Sequence, residues 1–110
     1  MAIRVVVVDD HTLIRQGIVG LLESQPDIEV VGQAGSAPEA LEAIQSARPD
    51  VVLMDIAMPG ASGLEATRLI RERFPTIQVL IVTIHDREDY LFQALRAGAS
   101  GYVLKGAEVQ

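Results

Sequence analysis

Four runs of apolar, mostly β-branched residues each end in a polar residue able to do chemistry. Asp9 and Asp10 follow Ile3–Val8, Asp55 follows Val51–Met54, Thr83 follows residues 77–82, and Lys105 follows Gly101–Leu104. Three carboxylates brought to one place would repel one another unless a cation lay between them or some took up protons. Oxygen donors suit a hard ion, and few ligands with room for water suit Mg2+ better than Ca2+. A carboxylate in that setting can attack phosphorus and become an aspartyl phosphate. The Lys105 ammonium and the Thr83 hydroxyl could then hold the phosphoryl oxygens as charge develops.

Each residue also has a plainer reading. Asp10 alone would pass for a helix cap, Thr83 for a strand former, and Lys105 for a solvated residue near a terminus. His11, beside the acids, reads as a solvent-facing residue at a helix start, with a supporting role to the acids as the alternative. Arrival after four separate runs is what joins these residues into one constellation.

The elements that must position them follow from periodicity. Strand runs at Ile3–Val8, 28–31, Val51–Met54, 77–82 and Gly101–Leu104 alternate with amphipathic stretches. Three of the runs are almost continuously apolar, as strands buried on both faces of a parallel sheet should be. Residues 28–31 are interrupted by Glu29 and read as an edge strand that delivers no chemistry. Ser36 to Glu39 and Ser62 to Glu65 are capping boxes, the first with Pro38 in its opening turn and the second opening a helix stopped by Pro75. Asp86 caps a further helix, carrying Tyr90, Leu91, Ala94 and Leu95, that ends at Gly98. A helix over about residues 12–24 carries Leu13, Ile14, Ile18, Leu21 and Leu22 on one side. The order β-α-β-α-β-α-β-α-β predicts a parallel sheet with helices on both faces. In such a sheet chemistry gathers beyond the carboxyl ends of the strands, where the acids, Thr83 and Lys105 all fall.

Composition narrows the classes. With 110 residues the chain makes one small domain, 49% hydrophobic and 22% charged. A net charge of −6 argues against direct nucleic-acid binding. Two Phe and two Tyr, without Trp, imply an aliphatic core and no base-stacking platform. The absence of cysteine excludes disulfides and fits a cytoplasmic protein. No run approaches the roughly 18 apolar residues of a membrane span, and the first residues carry no signal-peptide pattern. The chain runs out within five residues of Lys105, so the expectation is a domain truncated before a final helix, with part of a sheet face open.

Val5-Val6-Val7-Val8-Asp9-Asp10, Leu53-Met54-Asp55-Ile56-Ala57-Met58-Pro59-Gly60, Val82-Thr83 and Gly101-Tyr102-Val103-Leu104-Lys105 together resemble the receiver domain of two-component response regulators, from residue 3 to the end. Asp9-Asp10-His11 and the stretch from Tyr90 to Lys105 are similar to the NarL/FixJ, or LuxR-type, subfamily, which carries a C-terminal helix-turn-helix domain. The resemblance implies an α/β, flavodoxin-like, doubly wound sheet of five parallel strands in the order 2-1-3-4-5. It implies that Asp55 accepts a phosphoryl group from a sensor histidine kinase. It also implies Mg2+ bound by Asp10, Asp55 and the backbone carbonyl of Ala57, with Asp9 contacting it largely through water. Thr83 and Lys105 would bind the phosphoryl group, and Tyr102 would follow Thr83 inward. DNA would be reached only through an output domain absent from this chain, and the subfamily's dimer surfaces leave a homodimer on activation open. The chain would catalyse only its own phosphorylation and slow dephosphorylation.

Departures from the commonest pattern bear on tuning. Ala57 replaces a frequent polar residue but keeps the backbone contact. Ile84 stands where a small residue usually leaves access to the acids, and His85 is placed to influence how water reaches the phosphate. A haloacid-dehalogenase-like phosphatase would want a second acid two residues after its nucleophile, where Ala57 follows Asp55 and His11 follows Asp9. An interaction module that had lost phosphorylation would not need the intact set Asp10, Asp55, Thr83 and Lys105; only Ile84 hints at it. A flavodoxin-type nucleotide binder would need a Gly-rich loop where this chain has Asp9-Asp10-His11-Thr12.

Overall fold

Four consecutive valines, Val5 to Val8, are almost wholly buried in the structure, a computed structural model that describes residues 2–55, 63–83 and 96–104 (the backbone alone at 83 and 102–104). They belong to β1 (Ile3–Val8), which pairs in parallel with β2 (Ile28–Ala34) on one side and β3 (Val51–Met54) on the other. β4 (Gln78–Thr83) joins β3, and β5 (Gly101–Leu104) joins β4. The five-stranded order is β2-β1-β3-β4-β5, as expected, with β2 at an edge. β2 is longer than its apolar run. The register shifts between Val5 and Val6, so that Val5 pairs with Val30 and Val6 with Gly32. Val31 is the extra residue of a bulge, and past it the pairing continues to Ala34 opposite Val8.

Alternation along the strands sorts their side chains onto two faces. Val6, Val8, Val52, Met54, Val79 and Ile81 form one core with Ile44 of α2 (Ala37–Ala47) and Ile70 of α3 (Gly63–Arg73). Full burial of a side chain such as Ile44 contributes roughly 1.5–3 kcal/mol. The buried Thr67 of α3 is satisfied by donating its hydroxyl to the Gly63 carbonyl at 2.7 Å. On the other face Val5 and Val7 pack against Val19 of α1 (Thr12–Glu23), while Val51, Leu53, Leu80 and Val82 stay half-buried.

The orientation of α1 differs from the expectation. Ile18, Val19 and Leu22 form its packed stripe, whereas Leu13 and Leu21 are 85% and 73% exposed and Ile14 is exposed as well. Arg15 takes the inward position one turn before Val19. Its guanidinium donates to the Asp9 carbonyl at 2.6 Å and to Gln33 Oε1 at 3.3 Å, which turns Leu13 and Ile14 outward.

Helix ends follow the predicted chemistry with one change. The Ser36 hydroxyl accepts from the Glu39 N–H at 3.3 Å, but the Glu39 carboxylate accepts from Gly35, one residue before the cap, at 2.8 Å. Ser62 lies outside the described residues, and Glu65 pairs with Arg68 along α3. The helix expected from Asp86 also lies outside them apart from its end, where Gly98 has the positive φ of 104° that a C-terminal glycine permits. Residues 105–110, after which a final helix was expected to be missing, lie outside them too. Among the described residues no helix is long and apolar enough to cross a membrane.

Candidate functional site

The paired residues Ala34, Val8, Met54, Ile81 and Tyr102 form a row across all five strands near their carboxyl ends. Asp9 and Asp55 stand one residue beyond that row on neighbouring strands. The ladder bonds carry on through them. The Asp9 N–H donates to Ala34 O at 3.0 Å, and the Asp55 N–H donates to Val8 O at 2.9 Å. Backbone pairing thus fixes where both carboxylates start, and both residues are buried.

The turn after β1 is built by Asp9. Its Oδ1 accepts from the His11 N–H two residues on at 2.9 Å, the local bond that Asp side chains favour in turns. α1 starts at Thr12, and its N-cap residue His11 makes no side-chain cap bond. Asp10, whose plain reading was a cap, makes none either among the described residues. The amino end of α1 adjoins the acids, an arrangement that favours negative charge there.

Asp9, Asp10, His11 and Asp55 each place a donor atom within 4.8 Å of the other three. Asp10 Oδ1 is buried and has no hydrogen-bond partner among the described residues. Beside His11 Nδ1 at 3.1 Å but without a hydrogen bond, this buried carboxylate oxygen is costly, and a cation is a natural counterpart for it. Three carboxylates and an imidazole are a donor set that fits a divalent ion. His11 matches neither of its two readings alone: its side chain is 61% exposed, yet Nδ1 lies 3.3 Å from Asp9 Oδ1 and 3.1 Å from Asp10 Oδ1.

Thr83 ends β4 and Tyr102 lies in β5, so the backbone carries both to this edge of the sheet. Ala57, Ile84, His85 and Lys105 lie outside the described residues. Sequence reasoning missed Arg15. Its bond to the Asp9 carbonyl props the first acid from behind, and its only signal was a cation on the helix that follows the acids.

The family model for the response regulator receiver domain matches residues 5–110. The chain is 45% identical over 103 residues to the transcriptional regulatory protein DegU of Brevibacillus brevis, covering 94% of this chain and 44% of that protein. It is 49% identical over 105 residues to the response regulator GacA of Pseudomonas viridiflava, covering 96% of this chain and 49% of that protein. A LuxR-family two-component response regulator from Aurantimonas sp. SI85-9A1 superposes with a TM-score of 0.94 at 40% identity, over 98% of this chain and 77% of that one. The chain therefore spans under half the length of these two curated relatives.

Proposed function

The chain belongs to the response regulator receiver domain family, and from that premise we propose that Asp55 is the phospho-acceptor of a switch driven by a sensor histidine kinase. One observation carries the assignment: Asp55 is buried at the carboxyl edge of the sheet, bonded through its backbone to β1 and gathered with Asp9, Asp10 and His11. An Asp55 carboxylate oxygen attacks the phosphorus of a phosphohistidine, the P–N bond breaks, and the imidazole leaves with a proton. Asp9, Asp10, Asp55 and the Ala57 carbonyl would hold Mg2+. When bound, such an ion would supply positive charge to offset that of the phosphoryl oxygens. The Thr83 hydroxyl and the Lys105 ammonium bind those oxygens, and Tyr102 follows Thr83 as the switch moves. Ile84 and His85 tune access to Asp55 and the lifetime of the phosphorylated state. The chain is a signalling protein that turns over only its own phosphoryl group, slowly and with water as acceptor.

The matches to a transcriptional regulatory protein and a response regulator, each more than twice the aligned length, support a longer chain. In it this domain governs a helix-turn-helix that binds DNA, in the cytoplasm and with a homodimer forming on activation. A charge-rich phosphoryl group biases the loop after β4 and the elements beyond it, the usual way such a group moves a two-state element.

The test is intact-mass analysis after incubation with acetyl phosphate and Mg2+. Wild type should gain one phosphoryl group and Asp55→Asn none. A gain in both proteins, or in neither, would overturn the assignment. Sustained turnover of phosphoester substrates would favour the phosphatase reading instead.

A further inference from the structure

His11 is the part of the acidic pocket that the proposed function leaves unused. We propose that His11 is a metal ligand, and that its Nδ1 makes this pocket prefer a divalent transition ion such as Mn2+ or Ni2+ over Mg2+. The inference rests on the reading that Asp9, Asp10 and Asp55 hold a divalent ion. The imidazole is positioned for the task by its own backbone, since the His11 N–H is tied to Asp9 Oδ1 at 2.9 Å and the ring folds back over the acids. Nδ1 then stands 3.3 Å from Asp9 Oδ1 and 3.1 Å from Asp10 Oδ1. Two donors at right angles on an ion with bonds of about 2.1 Å stand about 3 Å apart, so the contacts that the ring makes with the acids, the 3.3 Å one a hydrogen bond to Asp9 Oδ1, have the spacing that ligands of one ion would also need. Asp10 Oδ1, the oxygen nearest the imidazole, is also the buried oxygen without a hydrogen-bond partner among the described residues. The side chain of His11 is 61% exposed, so the ring reaches the acids from the solvent side.

The consequence for selectivity follows from ligand chemistry. Mg2+ keeps oxygen ligands and several waters. An imidazole nitrogen adds little for Mg2+ and strengthens binding along the series from Mn2+ to Ni2+. His11 is therefore a selectivity residue, while the carboxylates supply affinity for any divalent ion.

Two measurements test this on the 110-residue chain. Pulsed electron paramagnetic resonance of bound Mn2+ should show coupling to an imidazole nitrogen in wild type and in His85→Ala, and should lose it in His11→Ala. The chain has two histidines, so the His85 variant removes the alternative source. Calorimetric titration should show His11→Ala losing about tenfold or more in Ni2+ affinity while Mg2+ affinity moves less than about twofold, the split expected when one nitrogen ligand is removed. Melting of the ion-free proteins checks that His11→Ala remains folded. Nitrogen coupling that persists in His11→Ala, or is absent from wild type, overturns the inference, and so does an equal loss for Ni2+ and Mg2+. If wild type and Asp10→Asn both fail to bind any divalent ion, the underlying reading of the acids falls with it. If Mg2+ binds without nitrogen coupling to Mn2+, only the role of His11 falls.

Discussion

The two ends of the sheet use their charged residues in opposite ways. At the amino end the charges are absorbed into structure. Asp50 Oδ2 accepts from the Arg4 N–H at 2.9 Å, the Asp50 N–H donates to Arg4 O at 2.8 Å, and Gln78 N–H donates to Asp50 O at 3.1 Å. Arg4 also donates to the Arg48 carbonyl, the Arg48 guanidinium lies 5.0 Å from the Phe74 ring centroid, and Arg71 donates to the carbonyls of Pro75 and Ile77. At the carboxyl end three acids and an imidazole are drawn together, and one buried carboxylate oxygen lacks a hydrogen bond among the described residues. One end ties its charged groups into the strand ends, while the other crowds like charges together and leaves one buried oxygen, Asp10 Oδ1, without a hydrogen bond among the described residues. Local rules tend to be broken at functional sites, and here the break falls on the acids of the candidate site.

If the comparison holds, variants at the two ends should separate stability from ion binding. Gly98→Ala strikes the structural end hardest. Its φ is +104°, and an added Cβ would come within 2.8 Å of Arg71 Cγ. Strain and crowding together should cost about 3 kcal/mol in denaturant unfolding, with Mg2+ affinity of the folded protein unchanged. A parallel loss of ion affinity would break the comparison, because it would couple the two ends.

Asp10→Asn should do the reverse. Removing one of the clustered like charges should raise ion-free stability by about 0.5 kcal/mol. Mg2+ affinity should fall about tenfold or more, equivalent to about 1.4 kcal/mol. The melting shift on adding Mg2+ should shrink accordingly; a variant that loses ion-free stability would show that Asp10 is structural after all. The smallest effect is expected at Arg48, which caps α2 in the left-handed region with φ 49°. Arg48→Gly relieves that conformation but loses the stacking on Phe74 and loosens the unfolded chain, so stability should stay within about 0.5 kcal/mol of wild type.

Much of this was legible in the sequence because the rules involved are local or topological. The valine run of β1 could only be a strand covered on both sides, and strands alternating with helices permit few arrangements. Acids placed directly after such strands had to reach one edge. Side-chain facing was harder. α1 has apolar residues around most of its circumference, so periodicity placed Leu13, Ile14 and Leu21 on the packed side, whereas the Arg15 contact with Asp9, six residues away, goes with a stripe of Ile18, Val19 and Leu22 instead. The bulge at Val31 depends on how β2 meets β1, which no single run encodes. His11 reads as solvated because its reach toward two carboxylates comes from a turn bond of Asp9.

The ladder bonds that seat Asp9 on β2 and Asp55 on β1 also have a consequence in time. Parallel neighbours cannot meet through a tight hairpin; each pairing waits for an intervening crossover to form and dock. Asp9 and Asp55 therefore remain strangers until β1 and β3 are joined, a non-local step that spans the intervening β2 and α2. No fragment short of that pairing holds the pocket. On the proposed function, a chain that has not joined β1 to β3 would be silent toward a phosphoryl donor, and competence to receive a signal would double as proof of having folded.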